Sequence, residues 1–380
     1  MRWDDLNRNR SGRRKKRGMQ IVAAAAAIAL CFFCGKGIGA PGLLRVAGDA
    51  AFFSAMLALP EGAVAYVADR AHNAEDNDEA QTHAPLVEQT ADAAPSDTDT
   101  APSLPAVSQP SETPPEGVET GKVKTMTLSN SGANLKTSRV HINNQTEGHT
   151  VDIEGILSSK PAVKIAMDGK PQVLIVHTHT TEAYMNEDKG YYVKGDDTRS
   201  TDTAQNVCRV GDAITEQLTA AGIVTIHDRT LHDYPSYSGS YNAAAETIEK
   251  HLEQTPSIQV VIDVHRDAIT QSDDTRVKPT AVIDGKNAAQ CMIISGCQEG
   301  SVYDFDHWEE NLKLTVRLQQ ALETNYPGLA RSMLFTARRY NMHLTHGSFL
   351  VEVGSEANTL DEAIYTGELI GKALAGVLTQ

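Results

Sequence analysis

The sequence predicts an α/β fold of three layers, in which helices cover both faces of a largely parallel sheet. From Gln172 onward, short β-branched runs alternate with longer segments of helical periodicity, and such alternation is typical of parallel sheets. Several of the runs end at imidazole or carboxylate side chains. Because the carboxyl ends of parallel strands converge on one crevice, the same pattern indicates where chemistry would take place.

Residues 169–380 form the main domain of this prediction. The first helix, 203–221, has an apolar stripe at helical spacing and ends at Gly222. The last helix begins with a capping box made by Thr359 and Glu362. We expect strands at 173–176, 223–226, 258–264, 333–336 and 349–353, and the other helices at 242–254 and 308–326. Two further apolar runs lie at 281–283 and 291–294.

Two segments precede the main domain. Residues 122–168 contain short alternations such as Val140-His-Ile142, which predict a small β-rich extension packed on the main domain. Residues 71–121 hold 11 acidic residues, no Lys or Arg, and seven of the 15 prolines. Such a segment cannot bury enough apolar surface to fold alone, so we expect an extended linker.

The N-terminal residues predict a membrane anchor. Residues 1–18 have a net charge of +6. The 17-residue segment 19–35 contains no charged residue. That length is at the short end for a membrane-spanning helix, and the basic leader places the rest of the chain outside the cytoplasm. Residues 36–70 are expected to form a juxtamembrane helical segment. A cleaved signal peptide and a second membrane helix at 43–67 are the alternatives.

Charge and cysteine content exclude several classes of protein. The chain has a net charge of −15, so the part after the basic leader has −21, and an acidic body disfavours nucleic acid. The three cysteines beyond the anchor, Cys208, Cys291 and Cys297, are odd in number and unclustered. They argue against a disulfide framework or a thiolate zinc site, although Cys291 and Cys297 could pair or remain buried thiols.

Three distant segments supply the side chains of a zinc site. His177 and Glu182 follow one predicted strand, His265 follows another, and Glu352 interrupts the apolar strand 349–353. Two imidazoles and a carboxylate make a hydrolytic zinc site with an open position for water. A second carboxylate can take that water's proton. We therefore predict that His177, Glu182 and His265 bind Zn²⁺ and that Glu352 is the general base.

Alternatives remain open at these positions. His179 and Glu182 have the His-x-x-Glu spacing of zinc carboxypeptidases, so His179 could replace His177. Asp263 or Asp267 could accept from the second nitrogen of His265, and Arg266 could bind a substrate carboxylate.

Glu352 has an alternative of its own. It could instead form a salt bridge with Arg338 or Arg339, which lie nearby in the sequence.

The segments that contain these residues resemble the stage II sporulation protein P family of cell-wall hydrolases over most of residues 122–380. The matching text is Val173-Leu-Ile-Val-His-Thr-His-Thr-Thr-Glu-Ala-Tyr184, Asn206-Val-Cys-Arg-Val-Gly-Asp212, His227-Asp, His232-Asp-Tyr-Pro-Ser-Tyr-Ser-Gly-Ser-Tyr-Asn242, Asp263-Val-His-Arg-Asp-Ala268, Tyr326-Pro-Gly-Leu-Ala-Arg331 and Val351-Glu-Val-Gly354 with Asn358. The last motif is also similar to the Leu-Val-Glu-x-Gly…Asn of zinc N-acetylmuramoyl-L-alanine amidases. Those amidases usually take their glutamate ligand from the start of the first long helix, where this chain offers only Asp202, the alternative to Glu182.

The resemblance implies a zinc amidase-like fold and cleavage of the N-acetylmuramoyl-L-alanine amide of peptidoglycan, with peptide cross-links as further substrates. It also implies action at the septum during engulfment, from the mother-cell membrane into the intermembrane space, with stage II sporulation proteins D and M as partners. A zinc carboxypeptidase that trims stem peptides and a non-catalytic wall-binding module are the alternative functions.

Overall fold

Residues 113–114, 116–196 and 198–380 are described by a computed structural model. The predicted leader, membrane helix and juxtamembrane segment, and most of the linker, lie outside these residues. None of the helices within the described ranges has both the length and the apolar character needed to cross a membrane.

Strands and helices alternate along most of the described chain. In chain order they are β1 (Thr120–Met126), β2 (Leu135–Lys136), β3 (His141–Asn144), α1 (Ile153–Ser158), β4 (Val173–Val176), β5 (Tyr191–Val193), α2 (Cys208–Ala220), β6 (Thr225–His227), α3 (Ser240–Gln254), β7 (Val260–Asp267), β8 (Arg276–Ile283), β9 (Lys286–Ala289), β10 (Cys291–Gly296), α4 (Trp308–Asn325), β11 (Met333–Thr336), β12 (Phe349–Ser355) and α5 (Leu360–Leu378). A short 3₁₀ helix, Met342–Leu344, precedes β12.

The larger sheet has its strands in the order β2-β3-β11-β10-β12-β7-β4-β6. Its neighbouring strands are parallel except in the pairs β2–β3 and β10–β12. The predicted α/β fold with a largely parallel sheet is thereby confirmed.

Strand alternation divides the apolar residues between two faces of this sheet. On one face, Val173 and Ile175 of β4 belong to the main core with Val210 and Ile214 of α2, and α4 and α5 complete that layer. On the other face, a smaller cluster joins β4 and β7 to Ile248 of α3. Helices therefore cover both faces of the sheet.

The second sheet has the strand order β5-β1-β8-β9. Lys278 of β8 is 1% exposed, and its ammonium group lies 2.8 Å from Glu362 and 2.6 Å from Asp188. Glu362 also accepts from the Thr359 amide, so the predicted capping box at the start of α5 is confirmed.

The predicted extension, 122–168, shares its strands with both sheets. β1 pairs in parallel with β8 of the second sheet, and β3 pairs in parallel with β11 of the larger one. The extension and residues 169–380 are therefore joined through backbone hydrogen bonds as well as side-chain packing.

A bulge interrupts β12 immediately after Glu352. The register with β7 shifts between Glu352 and Ser355, and Gly354 within it has φ +68°. A Cβ at Gly354 would lie 2.7 Å from the Asn358 side-chain oxygen and 2.9 Å from the Ala289 Cβ. That Asn358 oxygen accepts from the Ser355 amide at 2.9 Å. The Gly354 and Asn358 pair thus ends the strand and fixes the direction in which it leaves the site.

We expect Gly354→Ala to lower the free energy of unfolding by about 1–3 kcal/mol, because alanine is strained at positive φ and also meets Asn358. Gly376→Ala is the matched control, since Gly376 lies inside α5 and nothing approaches its Cβ position within 4 Å. The control should gain up to ~1 kcal/mol from helix propensity. Chemical denaturation measures both changes, and equal effects of the two substitutions would contradict a special role for Gly354.

Candidate active site

The register of two adjacent strands places a carboxyl group beside an imidazole. Glu352 of β12 is the direct partner of His265 in β7. Phe349, Val351 and Val353 of β12 belong to the main core, so alternation directs Glu352 to the opposite face. His265 lies on that face too, because Val264 beside it packs in the main core. Both side chains are buried.

His265 lies between two carboxylates. Its Nδ1 is 3.5 Å from Glu182 Oε2, and its Nε2 is 3.0 Å from Asp263 Oδ1. Burial by itself lowers the pKa of His265, but the charges of Asp263 and Glu182 outweigh it and hold the pKa well above the ordinary value. In the metal-free protein His265 is therefore a cation at neutral pH.

Glu182 is the carboxylate that faces this cation. Burial alone would raise the pKa of Glu182, yet the hydrogen bond and charge of His265, with the charge of Arg266, bring the pKa far below the usual range. The Arg266 backbone amide also donates to Glu182 Oε2 at 3.1 Å. Glu182 is thus an ionised, oriented acceptor, which is the state that a metal ligand requires.

His179 approaches the same place from the loop after β4. Its ring stands edge-to-face to that of His265, with 5.3 Å between centroids, and stacks on Tyr237 at 4.4 Å. The Tyr237 hydroxyl lies 3.0 Å from His179 Nε2. The structure therefore brings His179, Glu182 and His265 together, which is the alternative that the His-x-x-Glu spacing offered.

Glu352 is a buried carboxyl group with an unused oxygen. No donor in the described part of the chain hydrogen-bonds to its Oε2. Burial, and next the negative charge of Asp267, raise the pKa of Glu352 to about 8. Asp267 is itself paired with Arg331 at 2.8 Å. The salt bridge to Arg338 or Arg339 that the sequence left open is not among the contacts of Glu352.

His177, a predicted ligand, points to the other face of the sheet. It lies two residues after Ile175, so its side chain is on the same face of the sheet as Val173 and Ile175, which pack in the main core. Its Nδ1 lies 2.9 Å from the Val264 carbonyl, and its Nε2 lies 2.8 Å from Nε2 of His227. Both ring nitrogens are therefore engaged away from Glu182 and His265, whereas His179 lies beside His265.

Arg266 and Asp202 have local roles. The buried Arg266 guanidinium donates to the backbone carbonyls of Ala183, Asp267 and Thr198. These contacts fix the chain around Glu182, and the predicted binding of a substrate carboxylate by Arg266 stays a prediction. Asp202 is exposed and accepts from the Ala204 amide at 3.0 Å. Of the two carboxylates, Glu182 is the one that lies beside His265.

The loop with His179 and Glu182 is held by carboxylates beneath it. Asp263 accepts from the Thr178 amide and hydroxyl at 2.8 and 2.6 Å. Asp233 accepts from the Thr181 amide and hydroxyl, and also pairs with Arg199 at 2.8 Å.

Asp233, Tyr237 and Arg331 were not among the residues given a role from the sequence. All three lie in the segments that resemble the stage II sporulation protein P family. That location is the only feature of the sequence that could have indicated a role for them.

The chemistry of the donor set fits zinc. Two imidazoles and one carboxylate are the ligands of hydrolytic zinc sites, and Asp263 supplies the outer carboxylate that such histidines usually have. The carboxylates of Glu182 and Asp263 on either side of His265 mark a place where positive charge is favoured. Of all groups in the described ranges, however, only His177, Cys208 and His227 bring three donor atoms within 4.8 Å of one another. His179, Glu182 and His265 would close further around an ion.

Comparisons with known proteins identify a sporulation family. The family model of stage II sporulation protein P matches residues 73–375. Stage II sporulation protein P of Bacillus subtilis (strain 168) is 29% identical over 216 residues, which cover 54% of this chain and 50% of that protein. The chain thus aligns with half the length of this relative.

Solved structures give weaker similarities. The amidase CwlD from Clostridioides difficile, in complex with the GerS lipoprotein, has a TM-score of 0.35 at 13% identity, covering 55% of this chain and 96% of that one. The N-acetylmuramoyl-L-alanine amidase AmiC2 of Nostoc punctiforme has a TM-score of 0.32 at 12% identity, covering 55% and 95%. Neither similarity is close enough to transfer a function.

The raised pKa of Glu352 makes a prediction for stability. Because its pKa rises from an ordinary 4.5 to about 8 on folding, the folded state keeps a proton that the unfolded chain releases. The contribution is complete below pH 4.5 and is lost as the pH rises to about 8. Between these values the metal-free wild type should lose stability relative to Glu352→Gln by up to about 1.4 kcal/mol per pH unit.

Chemical denaturation at several pH values, with chelator present, measures this difference. Glu253→Gln is the control, since Glu253 is exposed on α3. A constant difference between wild type and Glu352→Gln across the range would contradict the raised pKa.

Proposed function

This chain belongs to the stage II sporulation protein P family, and from that membership and the site's geometry we propose that it is a zinc-dependent cell-wall hydrolase of sporulation. The bond that it cleaves is the N-acetylmuramoyl-L-alanine amide of peptidoglycan, and peptide cross-links are further substrates. It acts from the mother-cell membrane, on the side that faces the intermembrane space at the septum. Stage II sporulation proteins D and M are the proposed partners in engulfment.

The observation that supports catalysis most strongly is the state of Glu352. A buried carboxyl group without a partner for one oxygen costs folding free energy, and nothing in the packing of β12 requires an acid at this position. A pKa of about 8 suits a group that exchanges a proton near neutral pH. Strained or costly groups of this kind concentrate at catalytic sites.

The zinc ligands in this proposal are His179, Glu182 and His265. When bound there, zinc supplies acidity to a water molecule and polarises the amide carbonyl. In its ionised form Glu352 removes the proton from the attacking water, a new C–O bond forms, and the C–N bond of the amide breaks. Glu352 then gives the proton to the departing amine. Arg331 holds Asp267 beside Glu352 throughout.

Aromatic side chains beside the proposed ligands suit a saccharide-peptide substrate. Tyr237 stacks on His179 while it remains 44% exposed. Tyr241 lies 6.5 Å from His265 and 5.4 Å from Tyr340, measured between ring centroids. Aromatic rings with one polar end bind sugar rings and peptide planes by stacking and hydrogen bonding. We assign the substrate to this side of the site.

A carboxypeptidase that trims stem peptides is the second candidate, favoured by the His179-x-x-Glu182 spacing. The products distinguish the two enzymes. An amidase leaves glycan strands without peptide, whereas a carboxypeptidase releases single amino acids. A non-catalytic wall-binding module would retain wall material without solubilising it.

Glu352→Gln should abolish hydrolysis of purified peptidoglycan and leave the zinc content unchanged, because glutamine keeps the shape but cannot take a proton. Mass spectrometry of the released fragments and metal analysis measure the two effects. His265→Ala is the contrasting variant and should lose both zinc and activity. Normal turnover by Glu352→Gln would eliminate Glu352 as the base.

Tyr237→Phe should reduce zinc affinity or activity by about 10–100-fold, the usual effect of removing an outer hydrogen-bond partner of a ligating histidine. The ring and its stacking on His179 remain in this variant. Tyr234→Phe is the matched control, since Tyr234 lies on the same segment and is 59% exposed. Comparable losses in both variants would show that the hydroxyl on His179 has no specific role.

A further inference from the structure

A second group of metal-binding side chains lies on the sheet face opposite Glu352. His177 follows β4, His227 ends β6, and Cys208 begins α2. Their donor atoms all lie within 4.8 Å of one another. His177 and Cys208 have no exposed surface, and the His227 side chain is 6% exposed.

Hydrogen-bond partners decide which nitrogens of the two imidazoles carry protons. A carbonyl and a carboxylate can only accept. His177 Nδ1 lies 2.9 Å from the Val264 carbonyl, so it must donate. His227 Nδ1 lies 3.0 Å from Asp212 Oδ1, and the Asp212 carboxyl group also accepts from Arg209 and Arg229. If both rings are neutral, each Nε2 atom therefore carries a lone pair and no proton.

These two Nε2 atoms face each other at 2.8 Å. Two lone pairs at that separation repel, so something positive must lie between them. The choices are one shared proton, which makes the pair a cation, or a metal ion. The buried Cys208 thiol beside them favours the metal, because a thiol adds nothing to a shared proton but is a strong ligand once deprotonated.

Gly211 leaves space between α2 and the two Nε2 atoms, because it has no side chain. A Cβ at Gly211 would lie 2.5 Å from His227 Nε2 and 2.9 Å from His177 Nε2. Gly211 stands one turn after Cys208 on α2, on the same face. The helix therefore offers a thiol and an open backbone surface at the point where the imidazoles converge.

We propose that His177, His227 and Cys208 bind a second metal ion of the zinc class, with three protein ligands. Imidazole and thiolate are the donors that borderline and soft ions prefer. Zinc–nitrogen bonds of about 2.05 Å at tetrahedral angles place two nitrogens ~3.3 Å apart, so the imidazoles would separate by roughly half an ångström. Asp212 and the Val264 carbonyl are the outer partners that orient the rings. The ion would join β4, β6 and α2 beneath the catalytic loop.

Cobalt substitution tests the proposal in the purified full chain. After removal of metal with a chelator and reconstitution with Co²⁺, the wild type should show the near-ultraviolet charge-transfer band of a cobalt–thiolate bond. The proposed catalytic site contains no cysteine, and the part of the band that Cys208→Ser removes reports the second site. Cys208→Ser and His227→Asn should each lose the band and one equivalent of metal, whereas Cys291→Ala, which removes another buried thiol, should keep both.

Glu182→Gln separates this proposal from the proposed function. It should lose catalytic metal and hydrolysis while the cobalt–thiolate band persists. Absence of the band in the wild type, with a metal content that His227→Asn does not change, would show that the imidazoles share a proton and would overturn the second site. Retention of the band in Cys208→Ser would overturn it as well. Since the wild-type spectrum decides the question, a variant that fails to fold does not leave it open.

Discussion

The pairing of β7 with β12 is the constraint on which the candidate site depends. It places the Glu352 carboxyl beside His265, and both side chains are buried. Four ionisable groups then divide into two kinds. Burial raises the pKa of Glu352 to about 8, while the positive charge of His265 lowers the pKa values of Glu182 and Asp263. Carboxyl groups whose pKa values are driven apart have different chemical roles.

Burial of so much charge needs an outer layer of partners, and the structure supplies one. Asp263 is bound by Thr178, and Asp233 is bound by Thr181 and Arg199. Each pair links the loop after β4 to another part of the chain. In a medium of low dielectric such bonds are strong when complete and costly when broken. These bonds therefore hold the loop in place independently of any substrate.

Much of the main domain could be predicted from periodicity alone. The strand Val173–Val176 and the strand Met333–Thr336 lie where the sequence placed them, and the helix Trp308–Asn325 differs from the prediction by one residue. The first long helix begins at Cys208 rather than 203, because 203–207 form turns in which Asp202 and Asn206 bond to the backbone.

Most of the second sheet could not be predicted in this way, although the apolar run 281–283 lies within β8. β1, β5 and β8 contain lysine, tyrosine or threonine where an apolar pattern would have shown a strand. Their burial comes from partners distant in sequence, as Lys278 with Glu362 shows. A composition rule cannot find such a pair, because neither residue is buried without the other.

Strand alternation explains why His179, and not His177, lies beside His265. Val173, Ile175 and His177 share one face, and that face packs against the apolar stripe of α2. A ligand that meets His265 must come from the other face, which requires the chain to turn after β4.

The turn is stabilised where the two histidines diverge. The His177 carbonyl accepts from the Thr180 hydroxyl at 2.7 Å, and the His232 Nδ1 lies 2.8 Å from the same oxygen. One short segment thus directs one imidazole to the catalytic side and another to the core side. Because His177 and His179 share this turn, an ion bound to His177 would restrain the main chain from which His179 extends. Rigid support of that kind is what a ligand placed on a loop otherwise lacks.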